Sequence, residues 1–223
     1  CNGRNEMYDD NGHGTHVSGI IAGNGKMSEQ YVKGTAHNVR RYSGVAPRCK
    51  IIMLKVLDEN GNGNTKKVLD AVNWVKANRK LHHIRILNIS VGMLPGAGLE
   101  EQRKLLHAID ELWDEGIMVV AAAGNNGPKE NTVTIPGISR KVLTVGSSDD
   151  DTSDHGRKVL KTGYSGRGPT ACCIVKPEIL APGTGITSCS RDAMGYQVKS
   201  GTSMAAPVVS GALALAFEKY PSF

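Results

Sequence analysis

Apolar positions along the chain follow two alternating rhythms. Near-continuous apolar runs at 49–57 (CKIIMLKVL), 84–91 (IRILNISV), 117–123 (IMVVAAA) and 141–146 (KVLTVG) have the length of strands. Between them the spacing changes. Val68, Leu69, Val72 and Val75 within 68–78, and Leu105, Leu106, Ile109 and Leu112 within 100–115, recur at the interval of one helix face. The run at 117–123 has almost no polar position, as expected for a strand covered on both faces. Strands alternating with helices of this length predict an α/β fold: a mostly parallel twisted sheet with helices on both faces and right-handed crossovers. No internal repeat or low-complexity linker interrupts 1–223, so a single domain is expected.

Composition narrows the possibilities. At 223 residues and 39% hydrophobic, the chain can bury a real core, which excludes wholesale disorder. No apolar run approaches the roughly 18 residues that span a bilayer, so no membrane partner is expected. The opening Cys1-Asn2-Gly3-Arg4-Asn5-Glu6 is polar and unlike a signal peptide, although a processed N-terminus would look the same. The net charge of +6 comes from scattered basic residues with no groove-reading motif beside them, so nucleic acid is not an expected partner. Five cysteines, an odd number without a C-x-x-C pair, argue against a disulfide framework or structural zinc. Free thiols lean toward a reducing, intracellular compartment.

Three segments crowd glycine and small residues around a reactive side chain. In SGTSMAAPVVSGALAL (200–215), Ser203 opens a helical pattern. Unpaired N–H groups and the positive end of the helix dipole there suit a developing oxyanion, though an N-cap serine would look the same. In DDNGHGTHVSGIIAG (9–23), His13 opens a second helix, where it can act as a general base if a serine comes within reach. His13 with His16 also suggests a metal pair, but the H-E-x-x-H arrangement is absent. In VVAAAGNNGP (119–128), an apolar strand ends at Asn125, where parallel sheets place their sites. The Asn125 amide can donate to an oxyanion; a plain Asn-Gly turn is the alternative.

Together and in this order, GHGTHVSG, AAAGNNGP and SGTSMAAP resemble the subtilisin-like serine proteases (subtilases, peptidase family S8), with the flavour of the bacterial AprX-like branch. GVAP (44–47), LNISVG (87–92), SGRGPT (165–170) and KPEILAPG (176–183) are similar to further family segments, so the resemblance covers nearly the whole chain. It implies the three-layer subtilisin-like fold and a serine endopeptidase acting through an acyl-enzyme. Ser203 would be the nucleophile, His13 the general base, and Asn125 with the Ser203 amide the oxyanion hole. Ser90, Val91 and Gly92 on one side and Gly61, Asn62 and Gly63 on the other would flank an extended peptide by main-chain pairing. Ala123, Gly124, Asn126 and Thr134 would also bind substrate, and Thr132-Val133-Thr134-Ile135-Pro136 resembles the stretch that lines the first specificity pocket. Thr134, where many relatives carry glycine, would make that pocket shallow. Asn126, where some relatives carry an acid, would remove one attraction for basic residues. Protein or peptide substrates follow, with a pro-segment possible as a partner. No cofactor is required for the chemistry.

One element of the pattern is missing. The family's triad runs Asp, His, Ser, and the aspartate precedes the histidine by a few dozen residues. Only twelve residues precede His13, and Asp9 and Asp10 belong to its own approach loop. The expectation is therefore a partial catalytic domain lacking its first strand and its aspartate, and nearly inactive alone. The alternatives are a non-catalytic peptide-binding module of the same fold, or a metal hydrolase using His13 and His16. The acidic run Asp149-Asp150-Asp151 with Asp154 could hold structural calcium, against a solvated loop as the blander expectation. Vicinal Cys172-Cys173 could be a redox or mercury-sensitive site, against a packed pair.

Overall fold

A computed structural model of the chain describes residues 8–28, 42–96, 98–150, 163–192 and 195–222. In chain order the elements are α1 (His13–Ala22), α2 (Thr65–Asn78), β1 (Ile86–Ile89), α3 (Leu99–Asp114), β2 (Met118–Ala122), β3 (Leu143–Ser147), β4 (Ile179–Ala181), β5 (Ile186–Cys189), β6 (Tyr196–Lys199) and α4 (Thr202–Lys219). Strands β1-β2-β3-β4 form one parallel sheet in that spatial order, with Ile89 beside Ala121 and Ala122 beside Val145. β5 and β6 form a separate antiparallel pair.

The period-2 geometry of β2 explains the layers. Val119 and Ala121 face one way, into a core with Val72 and Val75 of α2 and Leu105, Ile109 and Leu112 of α3. Val120 and Ala122 face the other way, against Ala205, Ala206 and Val209 of α4. Both faces of the sheet are thus covered, as the apolar run at 117–123 predicts. Leu105, Ile109 and Leu112 are fully buried, and each such side chain contributes about 1.5–3 kcal/mol. α2 begins one turn before its apolar pattern. Asn64 caps it, its side-chain oxygen accepting from Lys67 N at 2.8 Å.

The run 49–57 departs from expectation. It lies extended, but no backbone–backbone hydrogen bond joins residues 50–57 to another described segment, and they are not a strand. Leu54 and Val56 pack against the α2–α3 core, while Ile51, Ile52 and Met53 are exposed. Apolar patterning reports which side chains want burial. Strand formation also needs a neighbour that supplies the ladder.

Candidate active site

The start of α4 shows how the site is assembled. Gly201, at φ 146, turns the chain into the helix with a conformation that L side chains avoid. Thr202 follows, wholly buried. Its backbone N and its hydroxyl both donate to Asn125 Oδ1, at 3.0 and 3.1 Å. The same hydroxyl accepts from Gly124 N at 3.0 Å. Asn125 is therefore clamped by its oxygen. Its Nδ2 is left as a donor beside Gly201, where an added Cβ would lie 3.1 Å away. Ser203 comes next, and its hydroxyl donates to the carbonyl of Ser90 at 3.0 Å. Ser90 and Asn125 follow the C-terminal ends of β1 and β2, so Ser203 and Asn125 meet at the sheet edge where parallel sheets bind ligands. Pro207 lies inside α4. It supplies no N–H to the Ser203 carbonyl one turn earlier, and the helix continues.

His13 is the first residue of α1. Its N-cap, Gly12, has φ 88 and no side chain to cap with, and Asp9 does the work instead. Asp9 Oδ1 accepts from Gly12 N at 2.7 Å and Asn11 N at 3.1 Å. Its Oδ2 accepts from Thr15 N at 2.8 Å and the Thr15 hydroxyl at 2.7 Å. Burial works against the Asp9 charge, but these bonds outweigh it and hold the carboxyl at about 2. Asp9 is thus an anchor for the helix that carries His13, and Asp10 pairs with Lys55 at 2.8 Å. Desolvation lowers the His13 pKa, the Lys199 charge adds to this, and Asp9 partly opposes it. The imidazole is accordingly neutral at pH 7, the state a general base needs.

α1 docks on α4 through Val17 and Ile20 against Met204, the residue after Ser203. His13 and Ser203 therefore stand in the first turns of two contacting helices. The Ser203 hydroxyl donates to Ser90, and no His13–Ser203 hydrogen bond is among the contacts of the described residues. His16 is different. It is fully buried, with Nε2 3.1 Å from the Ile186 carbonyl and 3.2 Å from that of Gln197, so it ties α1 to the β5–β6 pair. Burial pushes its pKa down to about 4. Among the described residues no group of three His, Cys, Asp or Glu could hold a metal, and His13 and His16 form no ligand set.

The remaining segments close around these residues. Met93 pairs with Ile135 in an antiparallel bridge, which brings 90–92 beside Thr134. Thr134 is buried, and its N–H donates to the Ala123 carbonyl at 2.9 Å. A Cβ on Gly92 would meet its Oγ1 at 2.3 Å, and one on Gly124 would meet its Cγ2 at 2.6 Å. Thr134 thus fills the slot between the 90–92 and 123–124 segments. Gly61 sits against Asn11, two residues before His13: an added Cβ would lie 3.0 Å from Asn11 Nδ2, and the turn 58–62 bonds back on itself through Asp58. Asn62, Gly63 and Asn126 are exposed, and Val91 is half-buried.

The acidic run has a structural job. Asp149 Oδ1 accepts from Gly183 N, Thr184 N and the Ser147 hydroxyl. Asp150 Oδ2 accepts from Ser165 N and Arg167. These two oxygens hold the 163–167 and 183–184 segments through hydrogen bonds, so Asp149 and Asp150 are not a solvated loop; Asp151 and Asp154 lie outside the described residues. The packed-pair expectation for Cys172 and Cys173 also fails, since both are exposed. Thr202 and the Ser90 carbonyl are the site groups that motif spacing missed. The adjacency of Thr202 to Ser203 was the only signal for the first. For a backbone carbonyl there is none.

Comparison with known proteins gives consistent results. The subtilase family profile matches residues 2–223. Serine protease AprX of Bacillus subtilis is 36% identical over 240 residues, covering 99% of this chain and 51% of its own length. Subtilisin DY of Bacillus licheniformis is 31% identical over 222 residues, covering 99% of this chain and 68% of its own. The chain thus spans about half the length of the first of these relatives. Among solved structures, sphericase superposes with TM-score 0.78 at 28% identity, covering 99% of this chain and 67% of that one. The S41 psychrophilic protease gives 0.76 at 28% identity, with 98% and 67% covered.

Proposed function

The chain belongs to the subtilase family, and from that premise we propose that it carries the nucleophile, base and oxyanion donor of a serine endopeptidase. The observation that supports this most is the clamp of Thr202 on Asn125, which leaves an amide donor next to the Ser203 helix terminus. In the proposed cycle the Ser203 hydroxyl turns from the Ser90 carbonyl to His13. His13 takes its proton as Oγ attacks the scissile carbonyl carbon. The oxyanion accepts from Asn125 Nδ2 and the Ser203 backbone N–H, fixed donors that need little reorganisation at the transition state. His13 then protonates the departing amine. Water, activated by the same imidazole, releases the acyl group from Ser203.

Ser90, Val91 and Gly92 and the 61–63 turn would hold the peptide extended through main-chain bonds. Thr134, filling the slot between Gly92 and Gly124, favours small side chains before the scissile bond and disfavours Phe, Tyr and Trp. The exposed Asn126 offers no charge to a basic residue there. No step in this cycle requires a metal or cofactor. The family's acid is not assigned to Asp9 or Asp10, since one caps α1 and the other pairs with Lys55.

A fluorophosphonate probe tests the proposal. Labelling at Ser203, lost in Ser203→Ala, is the expected result, together with Ser203-dependent cleavage of a denatured protein. A folded protein that the probe leaves unlabelled would instead be a non-catalytic peptide-binding module.

A further inference from the structure

The segment between Gly168 and Lys176 is a tight hairpin. Gly168 N donates to the Lys176 carbonyl at 2.9 Å and Thr170 N to the Ile174 carbonyl at 2.9 Å. At the tip, Cys173 N donates to the Thr170 carbonyl at 2.8 Å, and Ile174 N to the Thr170 hydroxyl at 3.2 Å. Cys173 takes φ 56, in the left-handed region. That is the position where such hairpins favour glycine, so a cysteine there is strained. Strain retained on a reactive residue is an observation from which a functional role can be argued. Its neighbour Cys172 is the adjacent thiol. Both are free and exposed, and Val175, 81% exposed, puts apolar surface beside them in the chain.

Two sulfurs on adjacent residues have a particular chemistry. Cα atoms across a trans peptide are about 3.8 Å apart, and the cis bonds among the described residues all precede proline. Unstrained disulfides need about 4.4–6.8 Å between Cα atoms. Direct oxidation of the pair is therefore disfavoured, whereas inserting one larger atom between the sulfurs relieves the mismatch. Tetrahedral metals need four ligands, and a linear dithiolate cannot be built from neighbouring residues. A pyramidal trivalent centre needs only two sulfurs on one side.

We propose that Cys172 and Cys173 form a dithiol site for trivalent monosubstituted arsenicals. The reaction is R–As(OH)2 plus two thiols giving R–As(S)2 plus two waters. Two As–O bonds break and two As–S bonds form. Each thiol proton leaves on a departing hydroxide as water, and no atom changes oxidation state. The first As–S bond makes the second intramolecular. The hairpin is pinned at Thr170 and Gly168, and the second thiol is on the very next residue, one peptide unit from the first. Cys49 and Cys189 are half-buried single thiols whose pKa burial raises, so neither offers a second sulfur nor ready access.

Phenylarsine oxide, added to the reduced chain and followed by intact and peptide mass spectrometry, tests the site. The expected product is one phenylarsenic bridging both cysteines of the Cys172–Cys173 peptide, retained in excess monothiol and removed by a dithiol. Cys172→Ser and Cys173→Gly should each weaken retention by about 10²-fold or more, the gain from an intramolecular second bond. Cys173→Gly suits the left-handed position, so loss of retention there cannot be blamed on unfolding; circular dichroism confirms the fold of both variants. Retention unchanged in either variant, an adduct mapped to Cys49 or Cys189, or a Cys172–Cys173 disulfide that forms in preference to the arsenical would each overturn the proposal.

Discussion

Replacing Thr202 by valine keeps its shape and removes its hydroxyl. Gly124 N then loses its acceptor and Asn125 Oδ1 keeps only the backbone N–H of residue 202. A partly buried donor left unpaired costs about 1–3 kcal/mol. The chemical effect should exceed the binding effect, because Asn125 is proposed to act on the oxyanion rather than on the bound peptide. Thr202→Val is expected to lower kcat with KM little changed, read from steady-state kinetics on a small-residue peptide substrate. Removing the donor itself in Asn125→Ala should cost about 10²–10³ in kcat, a magnitude measured on a subtilisin's own oxyanion asparagine and so carried over from the family. Thr134 sets a second residue-scale expectation. Thr134→Gly opens the slot between Gly92 and Gly124. It should raise kcat/KM for an aromatic residue before the scissile bond by about 10–200-fold or more relative to alanine, the range for a single methylene in a pocket. A cleavage profile with aromatic preference already present in the unsubstituted protein would refute the shallow pocket.

At the scale of elements, the close approach of α1 to the β5–β6 pair fixes where His13 stands. A Cβ on Gly19 would lie 2.4 Å from Ser188 Oγ and 2.8 Å from Cys189 Sγ. Gly19→Ala gains up to about 1 kcal/mol in helix propensity, but overpacking of this kind costs about 1–3 kcal/mol. The clash should win. A lower urea midpoint with an unchanged m-value is the expected outcome; a higher midpoint would show that α1 can slide. The same elements show what the sequence could reveal. β2 and α3 were legible because they are nearly all apolar or strongly one-sided, and burial alone dictates such patterns. β5 (ITSC) and β6 (YQVK) are short and mixed, with no apolar stripe to mark them. The run 49–57 carries the side chains of a strand, yet it makes no ladder with another described segment. In the candidate site, His13, Asn125 and Ser203 stood out because glycine and small residues surround them. Thr202 did not, because its role exists only once residues 77 positions apart are folded together.

For the whole molecule, stability should depend on pH in two separate windows. His16 has a folded pKa of about 4 against an ordinary 6.5, so the unfolded chain binds the extra proton between these values. The contribution is complete above pH 6.5 and is lost as pH falls toward 4, on the order of 3 kcal/mol at about 1.36 kcal/mol per unit. The lowered pKa of His13 acts in the same direction, below 6.5. Asp9 acts lower still. Held at about 2 against 3.8, it stabilises fully above 3.8 and ceases to do so as pH passes through 2. Urea unfolding between pH 7 and 4 should show stability falling with acid. His16→Gln, whose amide can still donate to one of the two carbonyls, should flatten that fall. A pH-independent midpoint across this range would mean that His16 stays solvated.

The uncovered side chains of Ile51, Ile52 and Met53 have a bearing on how the chain behaves among copies of itself. Among the described residues the extended backbone of 50–57 has no ladder partner, and an unpaired edge flanked by apolar side chains is a template onto which a neighbour can add its own. Pairing of this kind between copies is expected to raise light scattering with protein concentration before any loss of folding, and scattering that stays flat would show that the segment does not pair.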